Sequence, residues 1–248
     1  MSELADRLVS AVRTRTALDP GATGLTPEAA YDVQDEVVSA LGPGVAAIKL
    51  GLTSKAKQVQ MSVDEPLYGW LVDGTEIHRG DPLVAGELIQ PRVEPEIAFI
   101  TSAELGGPGV SAAHVLAATS AVMAAIDVLD SRYAGYSFTL PDVIADNASA
   151  ARFVVGDPID PTGVDLRTVG CVFSKNGEMV ATAAGAAILG HPAAAVAWFV
   201  RKLAERDRVL PAGSVVLAGA LTAAIPVETG DSVTVEIDRL GTLELAVR

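Results

Sequence analysis

Basic charge is scarce in this sequence: 18 Lys and Arg stand against 31 Asp and Glu, a formal net charge of −13. Nucleic acids and anionic membranes both need a basic face, so neither is an expected partner. Cysteine is almost missing. The single copy, Cys171, rules out an internal disulfide framework and Cys-rich zinc sites, and reads as a core residue of a protein from a reducing compartment. Aromatics are only 4% of a chain that is 50% hydrophobic, so the core has to be built from Ala, Val, Leu and Ile. No apolar run approaches the roughly 20 residues of a membrane helix. The opening MSELADRLVSAVRTRTALDP lacks the apolar block of a signal peptide. The expected location is the cytoplasm. G-x-S-x-G, P-loop and G-x-G-x-x-G contexts are missing too, which argues against serine hydrolase, nucleotidase and Rossmann readings.

What is present suggests one compact unit: a helical region over residues 1–44 and a catalytic domain over 45–248. Two helical patterns open the chain, Ser2 to about Ala17 and a second from Thr26-Pro27-Glu28, where Thr as N-cap and Pro at the first position form a start signal. From Val45 the character changes to short β-rich segments such as VAAIKLGL, VEPEIAFI, RFVV, SVVLAGA and SVTVEIDRLGTLELAV. Asn176-Gly177, inside CVFSKNGEMVAT, suits the positive φ angles of a tight hairpin turn. Two further helices are expected at about Ser111 to Ala125 and about Pro192 to Arg206. The order of elements predicts an α+β fold with a mainly antiparallel or mixed sheet.

The most informative segment is Arg92-Val93-Glu94-Pro95-Glu96-Ile97-Ala98-Phe99. In a strand, residues i and i+2 face the same side about 6 to 7 Å apart, so Glu94 and Glu96 can reach one cation. They can equally form a solvated face over buried Val93, Ile97 and Phe99. Asp127, enclosed by apolar residues in Ala125-Ile126-Asp127-Val128-Leu129, is a third candidate acid. Three oxygen ligands without His or Cys suit Mg²⁺ or Mn²⁺ rather than zinc. Lys49, among apolar neighbours, is a candidate acid/base or oxyanion partner, with Asp73 to fix its protonation; a surface Lys and an ordinary turn Asp fit as well. Asp146-Asn147 resembles a turn whose N–H groups could hold a carboxylate, and Gly219 to Thr222 offers a small-residue floor with one hydroxyl. His191, at an expected helix start, reads as structural.

Taken together, KLGLTSKAKQVQMSVDEPLYGWL, PRVEPEIAFI, DSRY, DVIADNASAARFVVG, LGHP, AVAWFVRKL and GALTAAIPVETGD resemble, in order and spacing, the hydratase/decarboxylase family of the fumarylacetoacetate hydrolase superfamily, from about Ala46 onward. The resemblance implies a mixed β-roll with flanking helices around a Mg²⁺ or Mn²⁺ site, its ligands falling at Glu94, Glu96 and Asp127. Asp127 stands where the hydratase and decarboxylase branch usually has Glu, while related hydrolase branches use Asp there. By the same resemblance Lys49 and Asp73 act close to the reacting carbons, and Ser149 and Thr222 hold the substrate's carboxylate end.

The activity implied is breakdown of a small 2-oxo acid in meta-cleavage aromatic catabolism, with 4-oxalocrotonate decarboxylation preferred because DSRY followed by YSFTLPD resembles that branch. The alternatives are 2-keto-4-pentenoate hydration and a non-catalytic partner subunit. Arg132, Lys55 and Arg152 are the candidate cations for a distal carboxylate. A homo-oligomer is expected, with a partner hydratase as a further associate.

Overall fold

The computed structural model describes residues 1–55, 58–59, 63 and 65–248, so part of the segment between Lys49 and Trp70 lies outside the described residues. Helix α1 (Glu3–Thr14) begins at Ser2, whose side chain accepts from Ala5 N, and α2 (Pro27–Leu41) begins at Thr26, which accepts from Ala29 N. These are the start signals the sequence carries. Leu8, Val9, Tyr31 and Val37 from the two helices belong to the main buried core.

Strand β1 (Val45–Gly51) pairs antiparallel with β2 (Leu67–Val72). Then come β3 (Arg92–Thr101), the short helix α3 (Ala112–Ala117), β4 (Thr119–Leu129), α4 (Leu140–Ala145) and β5 (Ala150–Val155). Hairpin β6 (Gly170–Lys175) and β7 (Glu178–Ala184) turns at Asn176 and Gly177, whose φ angles are 53° and 80°, as the Asn-Gly dipeptide predicts. Helix α5 (Pro192–Ala204), β8 (Val215–Ala220), β9 (Ile225–Pro226), β10 (Ser232–Ile237) and β11 (Gly241–Ala246) complete the chain.

The main sheet runs β2-β1-β8-β3-β4-β5, with β9 beside β3; among its described strand pairs β1–β8 is parallel and the rest are antiparallel. The sheet curls until the segment after β2 meets β5: Ile77 N donates to Phe153 O at 2.8 Å and Phe153 N to Thr75 O at 3.2 Å. This closes a roll. Strand alternation then sorts side chains into two groups. Val93, Ile97, Phe99, Ile126 and Val128 face outward into the main core. Ala47, Leu71, Ala98, Met123, Ala125, Phe153 and Leu217 form a second, smaller core on the other face. Alanines at three of those positions fit the narrow interior of a curled sheet, which accounts for a core with few aromatics. A four-stranded sheet, β11-β10-β6-β7, contributes Phe173, Val233, Val235 and Leu243 to the main core. The fold is the α+β roll the sequence predicts.

One expected element is wrong. The helix expected over Ser111 to Ala125 ends at Ala117, and Thr119–Leu129 is an eleven-residue strand paired with β3 and β5. A strand buried on both faces shows no alternation, and an Ala-rich apolar run then reads as a helix. Cys171 and His191 meet their structural readings. Cys171 is buried, with its thiol pushed up to about 11 by burial. His191 caps α5 by accepting from Ala193 N at 3.0 Å. Among the described residues no helix is long and apolar enough to cross a membrane.

Candidate metal centre and substrate cavity

The antiparallel register of β3 and β4 assembles the acids. Glu94 lies opposite Asp127 and Glu96 opposite Ala125, so all three carboxylates share the inner face of the roll. Ligand oxygens of Glu94, Glu96 and Asp127 lie within 4.8 Å of one another, and all three residues are buried. Lys49 reaches them from β1: its Nζ stands 2.5 Å from Asp127 Oδ2. The sequence left a solvated strand face open as a reading of Glu94 and Glu96; their burial removes it.

Three buried carboxylates against one ammonium leave an excess of negative charge. Glu96 shows the strain most clearly, its carboxyl pushed well above the usual range by burial and then by Asp127 and Glu94. Burial by itself would lower the Lys49 ammonium, but Asp127, Glu94 and Glu96 outweigh it and raise it. Gly219 N donates to Glu96 Oε2 at 2.6 Å, while Glu96 Oε1 is buried with no hydrogen-bond partner among the described residues. Gly219 can take this position because its φ is 111° and a Cβ there would run into the Thr53 side chain. A buried carboxylate oxygen without a donor, in an all-oxygen cluster of like charges, fits a hard divalent cation.

The centre opens into a cavity of about 380 Å³ whose lining includes Lys49 and Glu94 at the floor and Leu52, Leu67, Leu129, Phe138 and Val143 on the walls. Ala148 and Ser149 form another part of the wall. They belong to a turn in which Asn147, Ala148 and Ser149 all have positive φ, 52°, 55° and 55°. Three consecutive non-glycine residues there are costly and persist only when their surroundings hold them. Asn147 is held by its amide, which accepts from Trp70 N and donates to Trp70 O, both at 2.8 Å. Asp146 is buried against Arg132, which donates from Nε to its carboxylate and from Nη2 to its carbonyl. Burial lifts Asp146 to about 6 against the pull of Arg132, so it is ionised at neutral pH.

The other expected site residues divide. Ser149 lines the cavity and its hydroxyl lies 3.3 Å from Asp146 Oδ2. Thr222 is half-buried just past β8, and its neighbours Ala223 and Ala224 line the cavity instead. Asp73 does not meet Lys49. Lys49 lies opposite Gly69, whereas Asp73 follows the far end of β2, about 13 Å along the strand, exposed and packed against Gly44. The acid beside Lys49 is Asp127. Of the three cations expected to meet a distal carboxylate, Arg132 is committed to Asp146 and to the carbonyls of Asp130 and Ala150. Arg152 sits in a separate cavity beside Glu87, and Lys55 is exposed, donating to Gln58. Besides Lys49 at the floor, the cation that lines the cavity is Arg92. Strand parity could have found it, since Arg92, Glu94 and Glu96 share a face.

Roll and acid cluster together define a class. Residues 44–248 match the family model described as fumarylacetoacetate (FAA) hydrolase C-terminal, and the chain belongs to that family. Within it, the chain is 47% identical over 215 residues to 4-oxalocrotonate decarboxylase of Pseudomonas sp. (strain CF600), covering 85% of this chain and 81% of the relative. It is 37% identical over 248 residues to 2-hydroxyhexa-2,4-dienoate hydratase of Comamonas testosteroni, covering 96% and 94%. The solved structure of 4-oxalocrotonate decarboxylase from Pseudomonas putida G7, complexed with magnesium and adipate, superimposes with a TM-score of 0.95 at 40% identity over 99% of this chain and 96% of that one.

Proposed function

We propose that this chain is a Mg²⁺- or Mn²⁺-dependent 4-oxalocrotonate decarboxylase, a carbon–carbon lyase that converts 2-oxo-3-hexenedioate to 2-hydroxypenta-2,4-dienoate and CO₂. The observation that carries the reading is the buried cluster of Glu94, Glu96, Asp127 and Lys49 at the floor of an otherwise largely apolar cavity. Its support from relatives is the pair of decarboxylases at 47% and 43% identity and the 0.95 superposition.

A divalent cation seated on Glu94, Glu96 and Asp127 would supply the electron sink for a 2-oxo acid. Lys49 keeps an ammonium beside that position, with N–H donors beyond the one given to Asp127, and so can bond the oxygen on C2 and hand it a proton. Ser149 and the turn that carries it form the wall for the substrate's C1 carboxylate, with Thr222 close behind Ala223. Cleavage of the C5–C6 bond releases CO₂; its electron pair forms C4=C5, the former C3=C4 pair forms C2=C3, and the oxygen on C2 takes the negative charge and then the proton. Leu52, Leu67, Leu129, Phe138 and Val143 offer an apolar wall to the extended π system, which suits loss of CO₂.

Hydration of 2-hydroxypenta-2,4-dienoate is the second reading, supported by the relatives named as hydratases at 36–40% identity. It needs a group that activates water near C4, and among the described lining residues the only carboxylate is Glu94, at the floor. A non-catalytic partner subunit fits poorly with a buried acid cluster that carries an excess of negative charge. The proposal extends to a cytoplasmic homo-oligomer with a partner hydratase as an associate. One assay decides among the activities: 2-hydroxymuconate in equilibrium with its keto form, and separately 2-hydroxypenta-2,4-dienoate, are supplied while CO₂ and 4-hydroxy-2-oxopentanoate are followed. CO₂ from the first is the expected result. Consumption of the second alone makes the chain a hydratase, and inertness toward both makes it a partner subunit.

A further inference from the structure

We propose that Arg92 receives the distal carboxylate of the six-carbon diacid and so sets the preference for dicarboxylic over monocarboxylic 2-oxo acids, an assignment that rests on the decarboxylase reading above. Arg92 and Glu94 are two residues apart on one face of β3, about 6 to 7 Å along the strand, and both line the cavity. An extended six-carbon diacid spans roughly 6 Å between its terminal carbons, five bonds in a zigzag. A substrate chelating at the floor through C1 and C2 therefore brings its C6 carboxylate level with the Arg92 side chain.

The guanidinium is already oriented for this. Its carbon lies 4.0 Å from the centroid of the Tyr136 ring. Tyr136 is itself fixed, its hydroxyl within 3.2 Å of Gln90 O and 3.0 Å of Leu129 O. Stacking occupies a face of the guanidinium and leaves its N–H edge, the part that makes paired hydrogen bonds to a carboxylate. Among the described residues Arg92 forms no ion pair, unlike Arg132 and Arg152. A chain with a net charge of −13 needs such a local cation to admit a dianion.

The test compares two acids that differ only at the far end, 2-oxoadipate and 2-oxohexanoate, titrated calorimetrically into the Mn²⁺-loaded parent protein, Arg92→Gln and Arg92→Lys. Arg92→Gln is expected to weaken 2-oxoadipate at least tenfold and leave 2-oxohexanoate within twofold, with Arg92→Lys between the parent and Arg92→Gln. Equal weakening of both acids, or of neither, overturns the assignment. Neither titration needs turnover, so a parent protein that binds both acids but releases no CO₂ from 2-oxo-3-hexenedioate loses the proposed reaction while the comparison still decides the role of Arg92.

Discussion

Replacing Glu96 with Gln should stabilise the metal-free protein and weaken the metal-loaded one. The ligand oxygens of Glu94, Glu96 and Asp127 lie within 4.8 Å of one another. At an effective dielectric constant near 20, a pair of like charges at that distance repels by about 3.5 kcal/mol. Glu96 faces two such carboxylates, and Lys49 offsets one of them, so the net repulsion is of the order of one pair. Part of it is already relieved, because Glu96 takes up a proton more readily than an ordinary carboxyl. The expected gain is therefore about 1 to 3 kcal/mol at pH 8, or very roughly 2 to 10 °C in Tm for a chain of this size. Gln fits the site: its carbonyl can accept from Gly219 N, and its amide, in place of a Glu96 Oε1 that has no partner among the described residues, is a donor facing the Glu94 and Asp127 carboxylates. The pH dependence follows from the raised carboxyl. A group whose folded-state pKa lies above its unfolded value stabilises fully below the unfolded value, and that contribution fades as pH rises through the folded one. The advantage of Glu96→Gln should thus be absent near pH 4, where both forms are neutral, and grow toward pH 8. Thermal melts in EDTA and in excess Mn²⁺ across that pH range measure both effects. If Glu96→Gln melts lower than the parent in EDTA at pH 8, and gains as much from Mn²⁺ as the parent does, the electrostatic account of the site is wrong.

Lys49→Met removes the proton donor beside the C2 oxygen and should lower kcat by about 10² to 10⁴ while Mn²⁺ still binds, which stopped-flow CO₂ detection and calorimetry can separate. Asp146→Ala leaves the Arg132 guanidinium buried without its carboxylate and should cost about 3 to 5 kcal/mol in urea unfolding. Asp73→Asn should leave kcat and KM within twofold of the parent in the same CO₂ assay, because its carboxylate lies at the Gly44 end of the β1–β2 hairpin; a large loss would restore Asp73 to the site.

Much of the centre is legible in the residues because strand parity is a local property. Glu94 and Glu96 share a face whatever surrounds them, and Arg92 shares it too. The caps at Ser2 and Thr26, the Asn176-Gly177 turn and the His191 cap are local in the same way. The convergence of Asp127 on those acids depends on the β3–β4 register, which residues 119–129 conceal behind a run of alanines that suits a helix equally well. Partner choice among charges is the least legible. Lys49 bonds Asp127, 78 positions away, rather than Asp73 on the adjoining strand, because β1 and β4 project these side chains into one roll. Arg132 is withdrawn from any substrate by Asp146, buried against it and 14 residues on. In each case the deciding contact comes from closure of the roll.

Diffraction from Mn²⁺-soaked crystals, collected at a wavelength where manganese scatters anomalously, puts the central claim to its most direct test. One anomalous peak is expected per chain, bounded by oxygens of Glu94, Glu96 and Asp127 and lost in Glu96→Gln at the same Mn²⁺ concentration. A protein that releases CO₂ from its substrate in EDTA, with no peak among those three carboxylates, would contradict it.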